Sequence, residues 1–278
     1  MNNGATVHLA EVRTGWLRSL LAGLRIQARI IAALILREVL TRFKRQRLGY
    51  VWAFIDPCLH MAMWFVLFAL IRGPRQYHDM PTFMFLATGI VAMYLFFLKT
   101  TVYVAGAVSA GRGLLRFPMI KQLDPVLARF FLEAATMVVI SAVLLSAFTM
   151  AGLGAGPYNL LGVLMASGCL LLLALGFGTF NSAMTILYPS YSRFLYFVYR
   201  AIYFSSGAIH GTERLPAEVQ RILVWNPVFN GVDQFRSAWS FTYESTLTSN
   251  GYILLVAGFF FLAGLVLDKR VLQVELGE

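Results

Sequence analysis

Six runs of mostly apolar residues, at about 50–71, 82–104, 126–151, 159–187, 194–209 and 251–267, dominate this 278-residue chain. A helix needs roughly 20 apolar residues to cross the hydrocarbon core of a bilayer. Runs of that length leave the chain few other places to go, and its composition agrees. Hydrophobic residues make up 59% and charged residues 13%, about half the charged share of roughly 25% usual in soluble domains. The reading is an all-α integral membrane protein with six transmembrane helices. The fifth run is short and carries Arg200, so a broken or re-entrant segment competes there with a plain span.

The distribution of Arg and Lys sets the orientation. Fifteen of them lie before span 1, between spans 2 and 3, between spans 4 and 5, and after span 6; the opposite side holds five. Both termini are therefore expected in the cytoplasm, and the net charge of +10 is mostly topology, which argues against a nucleic-acid partner. The chain divides into a cytoplasmic segment 1–49, a transmembrane unit 50–267 and a cytoplasmic tail 268–278. Within the transmembrane unit, residues 210–248 form a long external segment with two patterned pieces. Pro216 precedes Val219, Ile222 and Leu223 at helical spacing, and Val232, Phe235, Arg236 and Trp239 follow Asn226-Pro227. They read as a re-entrant pair of short helices before the last span.

Just ahead of span 1, Ile35, Leu36, Val39, Leu40 and Phe43 make one stripe of a helix, while Arg37, Glu38, Thr41, Arg42, Lys44 and Arg45 occupy the other side. Such a helix lies in the cytoplasmic interface, with its apolar face in lipid and its cations near anionic headgroups. A simple anchor that fixes topology would carry the same pattern. Cys58 and Cys169 both fall inside apolar runs, where a lone cysteine behaves as a small hydrophobe. No His/Cys cluster has metal-ligand spacing, no set of residues is placed for nucleophilic catalysis, and no G-x-x-x-x-G-K-[ST] occurs.

The segment "LREVLTRFKRQRLGYVWAFIDP" leading into span 1 resembles the membrane subunit of ABC-2-type exporters, in the capsular-polysaccharide branch of KpsM/BexB type. The resemblance continues in "LLRFPMIKQLDPVLARFFLE" (114–133) and "LPAEVQRILVWNPVFNGVDQFRSAW" (215–239), and covers residues 30–270. Asp56 stands where that family has Glu before the proline. The resemblance implies a type V exporter-like fold and a homodimer docked on two copies of a separate cytoplasmic ABC ATPase, which would bind ATP and Mg. It implies transport of a lipid-linked acidic polysaccharide across the bacterial inner membrane, continued by a periplasmic co-polymerase-type protein and an outer-membrane exporter. It also places a coupling helix for the ATPase at Arg112, Leu114, Leu115, Arg116, Phe117 and Pro118, with Arg37, Arg42 and Arg45 of the approach helix as a second contact.

Besides Arg129 near the end of span 3, four charges sit inside spans: Asp56, Lys99, Glu133 and Arg200. At 1.5 Å per residue they lie roughly 9–12 Å in from the cytoplasmic side. An isolated charge at mid-bilayer costs on the order of 2.5–3.5 kcal/mol, so they should face one another or a wet cavity. The expectation is a polar ring at the inner mouth of a channel, Lys99 pairing Glu133 and Arg200 meeting an anionic lipid or substrate phosphate; snorkelling to the surface is the plainer alternative. Tyr50, Trp52, Phe54, Tyr196, Phe197, Tyr199 and Tyr203 could supply rings along which a sugar polymer slides, although each could equally pack between helices. By family position, the resemblance implies that Asp233 and Arg236 gate the outer end. Competing functions are export of O-antigen, teichoic acid or a drug by the same architecture, and a membrane-embedded transferase acting on lipid-linked sugars through Asp56 and His60.

Overall fold

The computed structural model describes residues 18, 22–41, 49–73, 76–77, 79–114, 119–211, 216–245 and 248–276. Helix α1 spans 22–41 and α2 spans Gly49–Arg72, with Pro57 inside it. A small antiparallel hairpin, β1 (Gln76–Tyr77) and β2 (Met80–Pro81), leads into α3 (Thr82–Ala105). The chain continues through α4 (Ala107–Gly111), α5 (Leu123–Met150), α6 (Leu160–Leu187) and α7 (Tyr191–Ser205). It then folds α8 (Ala217–Leu223), α9 (Pro227–Trp239) and α10 (Asn250–Leu276). Five of these helices are long and apolar enough to cross a membrane: α2, α3, α5, α6 and α10.

The fifth apolar run behaves differently. Its helix, α7, has 15 residues, about 22 Å at 1.5 Å per residue, which is shorter than the roughly 30 Å hydrocarbon core. It ends at Gly207, whose φ of 71° is the left-handed conformation that glycine adopts freely at helix ends. Residues 206–211 carry the chain onward without a helix. A Cβ on Gly211 would sit 3.5 Å from the Tyr77 ring of the hairpin, so the chain has there reached the end of the bundle where α3 begins. The last helix also departs from its expected boundary. It runs unbroken to Leu276, so the segment beginning at 268 continues the helix.

The core is built around α3, α6, α9 and α10. Small residues let these backbones approach closely. A Cβ on Gly176 would lie 2.2 Å from the Ala257 carbonyl oxygen, and one on Gly264 would lie 2.8 Å from the Phe180 nitrogen. Their order along the two helices makes α6 and α10 run parallel. Helix α9 lies antiparallel to α6, because Gly231 meets Leu170 and Ala238 meets Gly162. Its N-terminus, capped by the Asn226 side chain accepting from Val228 N–H, is therefore sunk well below the start of α6. α9 is buried inside the bundle, whereas α8, which precedes it, has no buried residue.

Within α3, residues Val91–Lys99 form a π-helix. Nothing in the residue pattern announces it. It carries Tyr94 and Lys99, which an α-helix would place about 140° apart around its axis; i→i+5 bonding brings residues five apart onto one face.

Candidate functional site

The consequence of that π-helix is a polar cluster inside the membrane-spanning region. Lys99 Nζ is 2.8 Å from Asp56 Oδ2 of α2, and the Tyr94 hydroxyl donates to the same oxygen at 2.8 Å. Lys99 also lies 5.2 Å from the Tyr94 ring centre. One turn along α2, the His60 ring stacks on Tyr94 at 4.3 Å with an interplanar angle of 3°. Its Nε2 is hydrogen-bonded to the Tyr203 hydroxyl of α7 at 2.7 Å, and Trp64 stacks on Tyr203 from the next turn. Asp56, His60 and Trp64 thus form a row on α2 that joins the middle of α3 to the end of α7.

This geometry corrects the expected ring. The ion-pair partner of Lys99 is Asp56, where Glu133 had been expected. Glu133 is buried in α5 at 1% exposure. Arg200 lies exposed on α7, its guanidinium 5.9 Å from the Tyr196 ring. The four charges therefore do not close a ring within one chain. His60, Tyr94 and Trp64 are the members that counting charges could not find; the spacing of Asp56, His60 and Trp64 at i, i+4 and i+8 was their only trace.

The conduit rings divide into two groups. Phe54 packs against the core, Tyr199 accepts a hydrogen bond from Asn181 Nδ2 at 3.2 Å, and Tyr203 is buried against α2. Trp52, Tyr196 and Phe197 project outward at 54%, 70% and 71% exposure. One chain alone does not wrap them around a channel. The side chain of Tyr50 lies outside the described residues.

Asp233 and Arg236 sit in the core of the bundle. Arg236, 1% exposed, donates through Nη1 to Gly207 O at 2.7 Å and through Nη2 to Ala208 O at 2.6 Å and Phe85 O at 3.1 Å. Its guanidinium also lies 3.7 Å from the Phe85 ring centre. Gly207 and Ala208 are where the fifth run loses its helix, so one side chain takes up carbonyls that the broken helix leaves open. Buried backbone oxygens without donors would cost several kcal/mol each in hydrocarbon. Asp233 accepts from the Tyr243 hydroxyl at 2.5 Å, Ser245 Oγ at 2.6 Å and Thr248 Oγ1 at 2.8 Å. Both side chains are buried.

Nearby, the hairpin is clasped to the end of α9. Asp79 accepts from the Ser240 and Thr242 hydroxyls, the latter at 3.0 Å. Partial burial acts to raise the Asp79 carboxyl, but these hydroxyls and neighbouring backbone N–H groups outweigh it and hold the group below its ordinary value.

At the other end of the bundle, α1 packs across the start of α5. Leu34 is buried, Gln27 Nε2 donates to Asp124 Oδ1, and Glu38 pairs with Arg129 Nη2 at 3.0 Å. Arg129 also donates through Nη1 to Tyr103 O at 3.4 Å. The buried side of α1 is centred on Ile31, Leu34 and Ile35, while Leu36 and Leu40 stay exposed. Of the expected coupling residues, Arg37 and Leu114 share one shallow groove between α1, α4 and α5. Arg42, Arg45, Leu115, Arg116, Phe117, Pro118 and the side chain of Arg112 lie outside the described residues.

The ABC-2 type transporter family matches residues 29–239 of the chain. The polysialic acid transport protein KpsM of Escherichia coli is 28% identical over 234 residues, covering 84% of this chain and 90% of that protein. The capsule polysaccharide export inner-membrane protein BexB of Haemophilus influenzae is 27% identical over 250 residues, covering 89% and 92%. The O-antigen export system permease protein RfbA of Myxococcus xanthus is 30% identical over 92 residues, covering 32% and 34%.

Proposed function

The chain belongs to the ABC-2 type transporter family, and from that premise we propose that it is the membrane-spanning permease of an ATP-driven exporter of lipid-linked capsular polysaccharide. The observation that carries the reading is the extent of likeness: nearly the whole of KpsM and BexB aligns with this chain, against about a third of the O-antigen permease. ATP hydrolysis belongs to a separate ATPase, in keeping with the absence of a P-loop in the sequence. The complex sits in the bacterial inner membrane, and its periplasmic and outer-membrane partners receive the polymer.

The path of the chain supports six passes with both termini cytoplasmic. Five are helices of spanning length. The remaining pass is α7 completed by the irregular backbone of 206–211, which Arg236 satisfies. Irregular backbone at membrane depth is tolerated only when protein covers it in this way. α8 and α9 are the external re-entrant pair, and α1 is the helix lying in the cytoplasmic interface.

Transport then assigns work to the site. Two copies are needed, because Trp52, Tyr196 and Phe197 face outward and only a second chain turns outward faces into a conduit wall. The ATPase pushes on the groove shared by Arg37 and Leu114, and the Glu38–Arg129 pair passes that push from α1 into α5. The cluster of Asp56, Lys99, Tyr94, His60 and Tyr203 holds α2 to α3 and α7 in the resting arrangement, and its half-exposed acid and amine face arriving substrate. A transferase would need Asp56 and His60 free to exchange protons with substrate, whereas both are held by neighbouring side chains.

The test is surface polysaccharide in cells lacking the chain and complemented with Lys99→Met, Asp56→Asn or the double variant, at matched protein level. Loss of surface polymer with lipid-linked polymer accumulating inside is the expected outcome for the deletion. Loss of O-antigen with capsule intact would favour the O-antigen reading.

A further inference from the structure

Below the elbow where α8 turns into α9 lies a cavity of about 550 Å³, within the range of ligand-binding pockets. Leu173 and Phe177 of α6 form its back, Ala201 of α7 one flank, and Val256 and Phe260 of α10 the other. Asn226 lies in its roof. Leu173 and Phe177 fall 13 and 17 residues beyond Leu160 on the α6 helix, about 20 and 26 Å along it. The cavity is therefore near the middle of the membrane.

The polar groups on its wall are occupied with one another. Asn226 Nδ2 donates to Ser205 Oγ at 2.8 Å, Ser205 Oγ donates to Ala201 O at 2.8 Å, and the Tyr252 hydroxyl donates to Trp225 O at 2.8 Å. Asn226 Oδ1 accepts from Val228 N–H at 2.9 Å. Sugar hydroxyls or water entering this space would trade good hydrogen bonds for poor ones, whereas hydrocarbon would lose nothing. The two flanking helices carry cations further down. Arg193 lies eight residues before Ala201 on α7, and Lys269 and Arg270 lie nine and ten residues after Phe260 on α10, all three exposed. Those spacings correspond to about 12–15 Å, the hydrocarbon depth of one leaflet, about half of 30 Å.

We propose that this cavity is a lipid site, holding one acyl chain of an anionic phospholipid of the inner leaflet whose phosphate rests against Arg193, Lys269 and Arg270. The proposal rests on the orientation given above, with the ends of α7 and α10 that carry these cations on the cytoplasmic side. It does not depend on which polymer is exported. A chain in this space wedges α7 away from α10 beneath the broken pass, so the lipid is a part of the wall against which α7 is set.

Native mass spectrometry of the full-length chain in mild detergent, titrated with phosphatidylglycerol or with phosphatidylcholine of the same acyl chains, tests it. The expected result is a preference for phosphatidylglycerol of about fivefold or more. Arg193→Gln/Lys269→Gln/Arg270→Gln, three surface changes, should abolish the preference while leaving residual binding. Ala201→Phe/Val256→Phe should displace both lipids. Equal binding of the two lipids by the unmodified chain would overturn the proposal, as would unchanged preference in the surface variant. Recovery of a glycan-bearing lipid in place of phospholipid, or a second copy of the chain cross-linked over the cavity, would overturn it as well.

Discussion

Helices α2 and α3 are neighbours of similar length and hydropathy, yet α3 is buried over 78% of its most apolar stretch and α2 over 17%. Hydrophobicity alone cannot separate them, because in a bilayer an apolar face is equally content against protein or lipid. What separates them is the kind of contact each makes. α3 is surrounded by small-residue packing and by backbone locked through Arg236, so its neighbourhood behaves as a block. α2 touches that block through a polar row, Asp56, His60 and Trp64, flanked by apolar contacts of Phe54, Met61 and Phe68, and shows much of its remaining apolar surface outward. A helix held by a few directional contacts can move relative to the block when those contacts are exchanged. A helix buried on all sides cannot.

The largest effect should come from the block. Arg236→Ala strands three carbonyls and removes a buried cation, a loss on the order of 3–5 kcal/mol. The chain should then fall at least tenfold in the membrane fraction, measured by quantitative blotting. Gly89→Val should behave similarly, since even a Cβ there would lie 2.2 Å from Ala208 O and from Arg236 Nη2. Normal accumulation of both variants would show that the block is not where stability resides.

The polar row should respond differently, losing transport before it loses protein. Lys99→Met leaves the Asp56 carboxylate without its amine, at a cost of about 2–3 kcal/mol in a membrane setting. Asp56→Asn/Lys99→Met removes both charges and should recover much of the protein level. Surface polymer per molecule should stay several-fold low in both. If the double variant exports normally, the row only holds α2 in place.

A smaller effect is expected where α1 meets α5. Glu38→Gln should change stability by about 1 kcal/mol or less, because the pair is partly exposed. Export per ATP hydrolysed should nevertheless drop, and unchanged coupling in membrane vesicles would remove α1 from the transmission path. The smallest effect concerns the clasp between the hairpin and α9. Asp79 has a depressed carboxyl in the folded state, so its contribution is present above the unfolded value of about 3.9 and is lost as pH falls through the lower folded value. Unfolding between pH 5 and pH 3 should therefore be less pH-dependent in Asp79→Asn, as read by thermal denaturation in detergent.

Much of this organisation was legible beforehand, for definite reasons. Span length and the Asn226-Pro227 start of α9 are local signals, and the shortness of the fifth run already set it apart. The pairing inside the membrane was not legible. Lys99 and Glu133 lie at similar depth, and depth is all that counting from helix ends can supply; azimuth decides partners, and the π-helix resets azimuth without any residue that announces it. The partners of Arg236 were hidden for a related reason. It donates to the carbonyls of Gly207 and Ala208, nearly thirty residues away, and no local pattern announces that contact.

The most direct measurement of the central claim uses inverted inner-membrane vesicles bearing this chain with the proposed ATPase partner and loaded on the outside with lipid-linked polysaccharide. Protection of the polymer from added glycosidase should rise with time, require ATP, and vanish in vesicles that lack this chain. Protection that develops equally without the chain, or without ATP, would contradict its role as the permease.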